Sequence, residues 1–444
     1  MKIATSIARA IGEIDAGRFD CAVIEKAKTC LRDMIGIACL AFDLPTSRQA
    51  SQFAAMMGGQ QATLIGSAQR ASVADAAFAN ATMAHGLVQE DMHTASVSHI
   101  GVVVWPALLA LAEQQRASGE DLIAAGVAGY QVMARLGQAL INRDLARVFR
   151  PTGLVGAVGA AAAGARLLHL SEEQAVSALA LAANTAGGLN EWPHTGADDM
   201  FFHAGNAARN GVTSVLLARA GARASESVFE GRAGLFAAYG RPVPARLELD
   251  GASEILSVYH KPAPACNYAQ TPAQAALAIV KQSSLAAHDI ESVLVKSFPE
   301  AIAYPGCDHT GPYRTLLQAK MSIPFVVAAT LVARRLDDAA LRDFSSDGEA
   351  ARLARRVRLE NDAIFAAAYP QRQGAEVLVS MKNGKRYSSR LAELQPLDAQ
   401  GVRARFCGAA AGLLGEARAQ QLDREIDALP AAPDAARLSR MLAP

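Results

Sequence analysis

Hydrophobic positions in the first 260 residues recur with a helical period. From Glu120 to Ile141, apolar side chains fall close to every 3.6 residues, which predicts an amphipathic helix. Residues 154–170 are rich in alanine and glycine and apolar on all sides, as in a buried helix that approaches its neighbours closely. Ser171, followed by acidic residues and Gln174, predicts an N-terminal cap. A further helix is predicted from His203 to Ala220.

The pattern changes after about residue 252, where short runs rich in β-branched residues appear. These predicted strands read EILSVYHK, IESVLVKSF, RRVRLEND and AEVLVSMKNGKRYSSRL. The last run contains Asn383-Gly384, a pair typical of a tight hairpin turn between two strands. Helical stretches are predicted between these runs, at about 271–283 and 314–336.

The tail of the chain, from about residue 395, returns to an alanine-, leucine- and arginine-rich helical pattern. The sequence therefore predicts a mainly α protein, with one large all-helical domain and an inserted, smaller α+β lid domain. We expect the helical domain to comprise residues 1–259 and 394–444 and the lid to comprise residues 260–393. Alanine favours helices over strands, and its abundance supports this fold class.

Composition narrows the possible functions. The chain has 444 residues, of which 51% are hydrophobic, so it can bury a large core. With 43 basic and 42 acidic residues, the chain has a formal net charge of only +1. It therefore has no overall positive charge that would bind nucleic acid or an anionic membrane. No uncharged apolar stretch reaches about 18 residues, so no membrane span is expected. Six scattered cysteines without metal-site spacing, and an N-terminus without a long apolar segment, favour a cytoplasmic protein with reduced thiols.

Titratable residues concentrate in AHGLVQEDMHTASVSHIG, between two apolar helices. This segment contains His85, Glu90, Asp91, His93 and His99. A carboxylate fixes the tautomer of a nearby imidazole, so Asp91 and His99 could form an acid/base pair. The alternative is a helix cap with surface histidines whose hydrogen bonds are satisfied. A metal site is also conceivable, but the helical spacing of metal-ligating histidines is absent, so no metal is expected.

Further candidate residues lie in segments that suit carboxylate binding. Lys261, in HKPAPACNYAQ, sits on a proline-stiffened corner, although a solvated lysine is the alternative. Arg150, in FRPTG, could bind a carboxylate bidentately. His203 and Asn206, in FFHAGNAARNG, lie near a predicted helix start, where free N–H groups attract anions or are simply capped.

The α+β region adds a fifth segment, CDHTGPYRTLLQAK, in which Tyr313, Arg314 and Lys320 surround a predicted helix start. Some familiar motifs are missing. There is no GxGxxG after a strand, no P-loop and no GxSxG elbow, so nucleotide cofactors and serine-hydrolase chemistry are not expected.

Taken together, these segments resemble the MmgE/PrpD family. The stretches that carry the resemblance are NATMAHGLVQEDMH, SHIGVVVWPALLALAE, GYQVMARLG, RPTGLVGAVGAAAAGARLLHLSEEQAVSALALA, FHAGNAARNGVTSVLLARAG, FEGRAGLF, YHKPAPACNYAQ and YRTLLQAKMSIPF. They occur in the family's order and span most of the chain. The resemblance implies a homodimer with its active site between a helical domain and a lid. It also implies chemistry on small polycarboxylates without metal or organic cofactor.

The resemblance also implies roles for individual residues. His99 resembles the family's catalytic histidine, Asp91 an aspartate of its acidic loop, and Lys261 its substrate-contacting lysine. His93 is a candidate acid/base partner of opposite role.

Four positions depart from the family's pattern. Val88 and Met92 replace an acidic and a hydroxyl residue of the common LDxDDT sequence, and Arg150 and Met200 stand where cis-aconitate decarboxylases have histidine and lysine. These departures argue against decarboxylation of cis-aconitate.

The expected function is a hydro-lyase, similar to 2-methylcitrate dehydratase, acting on a small di- or tricarboxylate. Two alternatives remain within the family, an epimerase of a compound such as iminodisuccinate and a decarboxylase. A helical binding protein that has lost the chemistry is the alternative from another class.

Overall fold

The computed structural model describes residues 1–251 and 253–444. Its helices and strands, labelled in chain order, are α1 Ile3–Gly12, α2 Cys21–Ala41, α3 Pro45–Met57, β1 Ala62–Thr63, β2 Arg70–Ala71, α4 Val73–His85, α5 Gly101–Gln115, α6 Gly119–Leu140, α7 Arg143–Val148, α8 Pro151–Leu167, α9 Glu172–Ala183, α10 Trp192–Thr195, α11 Asp199–Arg219, α12 Leu235–Ala238, α13 Gln270–Gln282, β3 Ile290–Ser297, α14 Pro299–Ala303, α15 Leu316–Met321, α16 Ile323–Ala333, α17 Asp338–Leu341, α18 Glu349–Ala354, β4 Val357–Asn361, α19 Ala363–Ala368, β5 Ala375–Met381, β6 Arg386–Leu391, α20 Ala399–Leu414, α21 Glu416–Asp427 and α22 Ala436–Met441.

The chain divides into two compact units. The first comprises Met1–Gly188, Asp199–His260 and Asp398–Pro444, and the second comprises Leu189–Asp198 and Lys261–Leu397. The predicted fold class is confirmed, because the chain is mainly helical and its larger sheet lies in the second unit. The domain boundaries expected from the sequence stay a prediction.

Helix α8 lies at the centre of the first unit, where it packs against α5, α6, α9 and α11. Small residues permit this packing. A Cβ atom on Gly159 would lie 2.6 Å from the Cβ atom of Met133 in α6, and one on Gly211 of α11 would lie 2.4 Å from that of Ala160. Ser171 caps α9 through a reciprocal pair of hydrogen bonds with Gln174, as predicted. The all-round apolar pattern of α8 therefore marks a helix buried by close neighbours.

The second unit contains a four-stranded sheet in the order β4-β3-β5-β6. Strands β3 and β4 are parallel, and the other pairs are antiparallel. The predicted hairpin is confirmed, because β5 and β6 flank Asn383-Gly384, where Gly384 has φ of 81°. Helix α13 packs on β5 and β6, and α16 packs on β4, so these helices cover one face of the sheet.

Two predicted elements are corrected by the structure. Residues Glu254–Ser257 of the expected first strand form a 3₁₀ turn, and Tyr259 pairs its backbone with Met92 in an isolated bridge. The run carries the β-branched pattern, but within the described residues it joins neither sheet of the chain. The helical stretch at 314–336 is two helices, because Ser322 ends α15 and its side chain caps α16.

A membrane-spanning helix is absent from the described part of the chain, since each of its helices is too short or too polar to cross a bilayer.

Candidate active site

The titratable segment forms the loop between α4 and α5. His85 is the last residue of α4, and His99 lies two residues before Gly101, where α5 begins. Val88 and Val97 within this loop have φ of 59° and 51°, in the left-handed region. That conformation is costly for a β-branched side chain and concentrates at functional sites. The loop is therefore held in a backbone path that its own sequence does not favour.

The carboxylate of Glu90 lies between two imidazole rings. Its Oε1 atom is 2.7 Å from Nδ1 of His85 and 3.2 Å from Nδ1 of His99. All three side chains are almost completely buried. The main-chain oxygen of Asp91 also lies 3.0 Å from Nδ1 of His99. Since oxygen acceptors face both Nδ1 atoms, this geometry favours a proton on each of them. Nε2 of His99 is then the nitrogen that can accept a proton.

Arg150 supplies a buried positive charge beside this group. It immediately precedes α8, where its main-chain N–H donates to the carbonyl of Gly188. Its Nη2 atom lies 3.4 Å from Nε2 of His85. A guanidinium stays protonated, so this contact requires His85 to be neutral and to offer Nε2 as the acceptor. The arrangement places a guanidinium at one ring nitrogen of His85 and the Glu90 carboxylate at the other.

His203 lies in the same electrostatic environment but cannot act as a cation. Burial, together with the positive charge of Arg150, lowers the pKa of His203 to about 4. Its imidazole is therefore uncharged at neutral pH, and His203 does not supply a cation for binding a carboxylate. A neutral ring can still donate one hydrogen bond and accept another.

The expected anion site at the start of α11 is not supported either. This helix begins at Asp199, so His203 lies in its second turn, beyond the free N–H groups of the first turn. Asn206 is exposed. Met200, one of the departures from the family pattern, is fully buried in α11.

Asp91 does not present its carboxylate to His99. Its Oδ1 atom accepts the N–H of Gly101 at 3.0 Å, and its Oδ2 atom accepts the hydroxyl of Tyr130. Burial and the charge of Asp33 raise the pKa of the Asp91 carboxyl. The predicted carboxylate–imidazole pair is therefore made by Glu90 instead. The carboxylate of Asp91 anchors the beginning of α5, and only its main-chain oxygen faces His99.

Both ring nitrogens of His93 contact protein groups and hold the loop between α4 and α5 in place. Its Nδ1 lies 2.7 Å from the hydroxyl of Ser96, and its Nε2 lies 2.9 Å from a carboxylate oxygen of Glu254. Glu254 is itself paired with Arg135 at 2.8 Å. Both ring nitrogens of His93 therefore have protein partners, which favours a positioning role over the proton-transfer role expected from the sequence.

The predicted residues of the second unit each have local contacts there. Lys261 is fully buried, and its Nζ atom lies 3.5 Å from the carbonyl of Ala265. The amide of Gln270 also donates to that carbonyl, at 3.0 Å, and so braces the proline-rich turn. Lys320 is paired with a carboxylate oxygen of Asp338 at 2.8 Å.

Tyr313 and Arg314 lie further along the second unit. The hydroxyl of Tyr313 donates to the carbonyl of His309 and lies 3.2 Å from the Ser322 hydroxyl. Burial raises the pKa of Tyr313 to about 12. The guanidinium of Arg314 lies 3.5 Å from the carbonyl of Thr195.

Two residues of the cluster, His85 and Glu90, were not among the expected site residues. Both stand in the histidine-rich segment, but the spacing favoured Asp91 as the partner of His99. Adjacent acidic residues point in different directions, and the backbone path of the loop decides which one meets the imidazole. Among the described residues, no group of three or more His, Cys, Asp or Glu side chains is arranged to hold a metal ion.

The chain thus combines a helical unit that holds a buried cluster of titratable residues with a second, α+β unit. Family models match the chain as the MmgE/PrpD N-terminal domain over residues 5–248 and the MmgE/PrpD C-terminal domain over residues 263–429. The chain therefore belongs to the MmgE/PrpD family.

Several curated proteins are similar to this chain. A cis-aconitate decarboxylase-like protein, oryM, of Aspergillus oryzae is 33% identical over 217 residues, covering 47% of this chain and 45% of the relative. The cis-aconitate decarboxylase of Homo sapiens is 31% identical over 250 residues, covering 54% and 51%. In both alignments the chain spans only about half of the relative's length. The cis-aconitate decarboxylase of Mus musculus is 25% identical over 452 residues, covering 95% and 89%.

Proposed function

We propose that this chain is a cofactor-independent lyase, and specifically a hydro-lyase, that acts on a small di- or tricarboxylate by proton transfer. The observation that carries the proposal is the position of the Glu90 carboxylate between His85 and His99, with the Arg150 guanidinium beside them. Proton transfer next to a carboxylate requires a base and a cation that holds the carboxylate. This cluster contains both.

In the proposed reaction, Arg150 binds a substrate carboxylate and Nε2 of His99 removes a proton from the adjacent carbon. Glu90 stabilises the imidazolium that forms, because its carboxylate lies 3.2 Å from Nδ1. The carbon–oxygen bond to the leaving hydroxyl then breaks, and the imidazolium returns its proton to that hydroxyl. The products are water and an alkene, and His99 ends in its starting state.

Decarboxylation is the second candidate, because the similar curated proteins are named cis-aconitate decarboxylases. In that reaction the carbon–carbon bond to a carboxylate breaks, carbon dioxide leaves, and the carbon takes a proton from His99, which begins this reaction as the imidazolium and recovers its proton from water. The departures at Val88, Arg150 and Met200 favour a substrate or reaction other than decarboxylation of cis-aconitate. Met200 is buried and apolar, so it adds no cation.

One experiment separates the possible reactions. Purified protein is incubated in deuterated buffer with citrate, 2-methylcitrate or cis-aconitate and followed by proton NMR, with carbon dioxide measured in parallel. A new alkene without carbon dioxide supports the hydro-lyase. Carbon dioxide release identifies a decarboxylase, and deuterium incorporation without net product identifies an epimerase. Failure to convert any of a broad set of di- and tricarboxylates would favour a binding protein that has lost the chemistry.

We propose substrate-binding roles for Lys261, which resembles the family's substrate-contacting lysine, and for Tyr313, Arg314 and Lys320, which lie in one of the segments that resemble the family. A test is Lys261→Ala, for which we expect the KM to rise more than the kcat falls.

We also propose a cytoplasmic homodimer that works without metal. Light scattering of the purified protein tests the dimer, and activity that a chelator abolishes and one divalent ion restores would overturn the metal-free mechanism.

A further inference from the structure

The second unit carries a groove on its sheet that contains none of the residues assigned to the candidate active site. The groove has a volume of about 880 Å³ and is lined by residues of all four strands β3–β6 and by two arginines that precede β4. Helices α13 and α16 cover one face of the sheet, so that Val293, Val295, Val377 and Val379 are buried there. The strand register shows which side chains share the opposite face.

In one row of side chains across this opposite face, positive and negative charges cancel each other. The register aligns Glu360, Lys296, Glu376 and Arg390 across the four strands. Charges alternate along this row, and Arg390 lies 3.0 Å from Glu376 and 3.3 Å from Asp362. Cross-strand pairs of opposite charge stabilise a sheet, which is sufficient to explain this row.

The two neighbouring rows differ, because their paired positions contain no carboxylate. One row aligns Arg358, Leu294, Leu378 and Ser388, and the next aligns Ser292, Ser380 and Arg386. In the described chain the ion pairs of this sheet are made by Arg390, and neither Arg358 nor Arg386 joins them. Among the described residues, the guanidinium groups of these two rows therefore form no ion pair with a residue of the sheet.

The remaining charges of the groove increase this imbalance. Arg355 and Arg356 also line it, and their guanidinium groups donate to the main-chain carbonyls of Ser346 and Ile290. Four arginines and two glutamates, Glu291 and Glu360, leave a formal excess of two positive charges in the groove. The whole chain has a net charge of only +1, so the excess is a local feature.

We propose that this groove binds a small organic molecule that carries two or more oxyanion charges. Arg358 and Arg386 would bind the oxyanions in charge-assisted hydrogen bonds, and the serine hydroxyls of the same rows would add further donors. The half-buried pair Leu294 and Leu378 forms an apolar floor between them, which suits the carbon skeleton of an organic ligand. Phosphate esters and polycarboxylates share this chemistry, and two probes distinguish them.

The test uses the full chain with pyrophosphate and with citrate as probes. Hydrogen exchange detected by mass spectrometry reports protection in peptides from β3, β5 and β6, which separates binding in the groove from binding elsewhere. Isothermal titration gives the affinity for the wild-type chain, for a double variant with Arg358→Ala and Arg386→Ala, and for Arg390→Ala. The last variant is a matched control, because Arg390 belongs to the neutralised row of the same face.

We expect protection of these strands by at least one probe, and a Kd about tenfold or more weaker in the double variant, since two charge-assisted contacts are removed. The Arg390→Ala variant should bind as the wild type does. Protection by pyrophosphate but not citrate identifies phosphate chemistry, and the reverse identifies carboxylate chemistry. Absence of protection by both probes, or equal weakening in the control, would overturn the proposal. Far-UV circular dichroism verifies that each variant is folded.

Discussion

The Nδ1 atom of His85 lies 2.7 Å from the Oε1 atom of Glu90, deep within the helical unit. His85 ends α4, and Glu90 belongs to the loop that follows, so the contact closes the loop back onto its helix. The same carboxylate oxygen lies 3.2 Å from Nδ1 of His99. One buried carboxylate therefore lies against two imidazoles, and this relationship leads to the first two predictions.

Replacing Glu90 by glutamine should remove activity without unfolding the protein. The amide keeps the shape of the carboxylate but cannot stabilise an imidazolium at His99. We expect a fall in kcat of about 10²-fold or more, typical for loss of a group that supports proton transfer. The melting temperature should change little, because a buried charge is replaced by a neutral group of equal size. Kinetics and thermal melts on one preparation measure both effects.

The comparison with Asp91→Asn makes this test specific. The carboxylate of Asp91 binds the N–H of Gly101 and the hydroxyl of Tyr130, so this variant should lower the melting temperature more than it lowers kcat. The opposite ranking of the two variants would return the catalytic role to Asp91.

Replacing His99 by alanine should reduce kcat by about 10²–10⁴-fold, the range for a positioned acid/base group. Substrate binding should weaken much less, because carboxylate binding is proposed for Arg150 and Lys261. The exposed His288 offers a control, and His288→Ala should leave both constants unchanged. Near-normal turnover in a folded His99→Ala protein would mean that another group moves the proton.

Local patterns were sufficient to predict much of the fold. The period of α6, the cap at Ser171 and the hairpin at Asn383-Gly384 each depend on residues close in sequence. The prediction of a strand before Lys261 was wrong, because a strand forms only when it pairs with another strand that can be distant in sequence, and local residues do not reveal that partner. Tyr259 instead pairs with Met92, in the loop between α4 and α5, as an isolated bridge.

The candidate site could be predicted only at the level of its segment. The density of titratable residues marked the loop, and the family resemblance marked His99. The choice between Glu90 and Asp91 depends on the path of the backbone near Val88, whose φ of 59° is unfavourable for valine. The uncharged state of His203 depends on burial and on Arg150, which lies more than fifty residues earlier in the sequence.

His203 should make the stability of the protein depend on pH. Its pKa is lowered from 6.5 to about 4 in the folded state, chiefly by burial. Between these values the unfolded chain binds more protons at this residue than the folded chain does. The free energy of unfolding should therefore rise with pH from about 4 to 6.5, and the contribution of His203 is lost as the pH falls through that window. A shift of this size corresponds to on the order of 3 kcal/mol.

Urea unfolding at several pH values, with His203→Gln as the comparison, isolates this contribution. Glutamine does not titrate, so the stability of the variant should depend less steeply on pH within the window. His288→Gln, at an exposed position, should follow the wild type. Parallel curves for the wild type and His203→Gln would show that His203 titrates normally in the folded protein.

Gly153 should be required for the position of Arg150. A Cβ atom on Gly153 would lie 2.3 Å from the carbonyl oxygen of Gly187, which no structure tolerates without movement. The neighbouring carbonyl of Gly188 accepts the main-chain N–H of Arg150, so displacement of this segment also moves the guanidinium-bearing residue. We expect Gly153→Ala to destabilise the fold by about 1–3 kcal/mol, the cost of overpacking, and to raise the KM through Arg150.

Gly408→Ala is the matched control, because Gly408 is exposed within α20 and its added Cβ would meet no atom within 4 Å. That variant should stabilise the protein by about 1 kcal/mol through helix propensity, with unchanged kinetics. Urea unfolding and steady-state kinetics on both variants test the pair, and a Gly153→Ala protein as stable and as active as Gly408→Ala would show that residues 187–188 do not constrain Arg150.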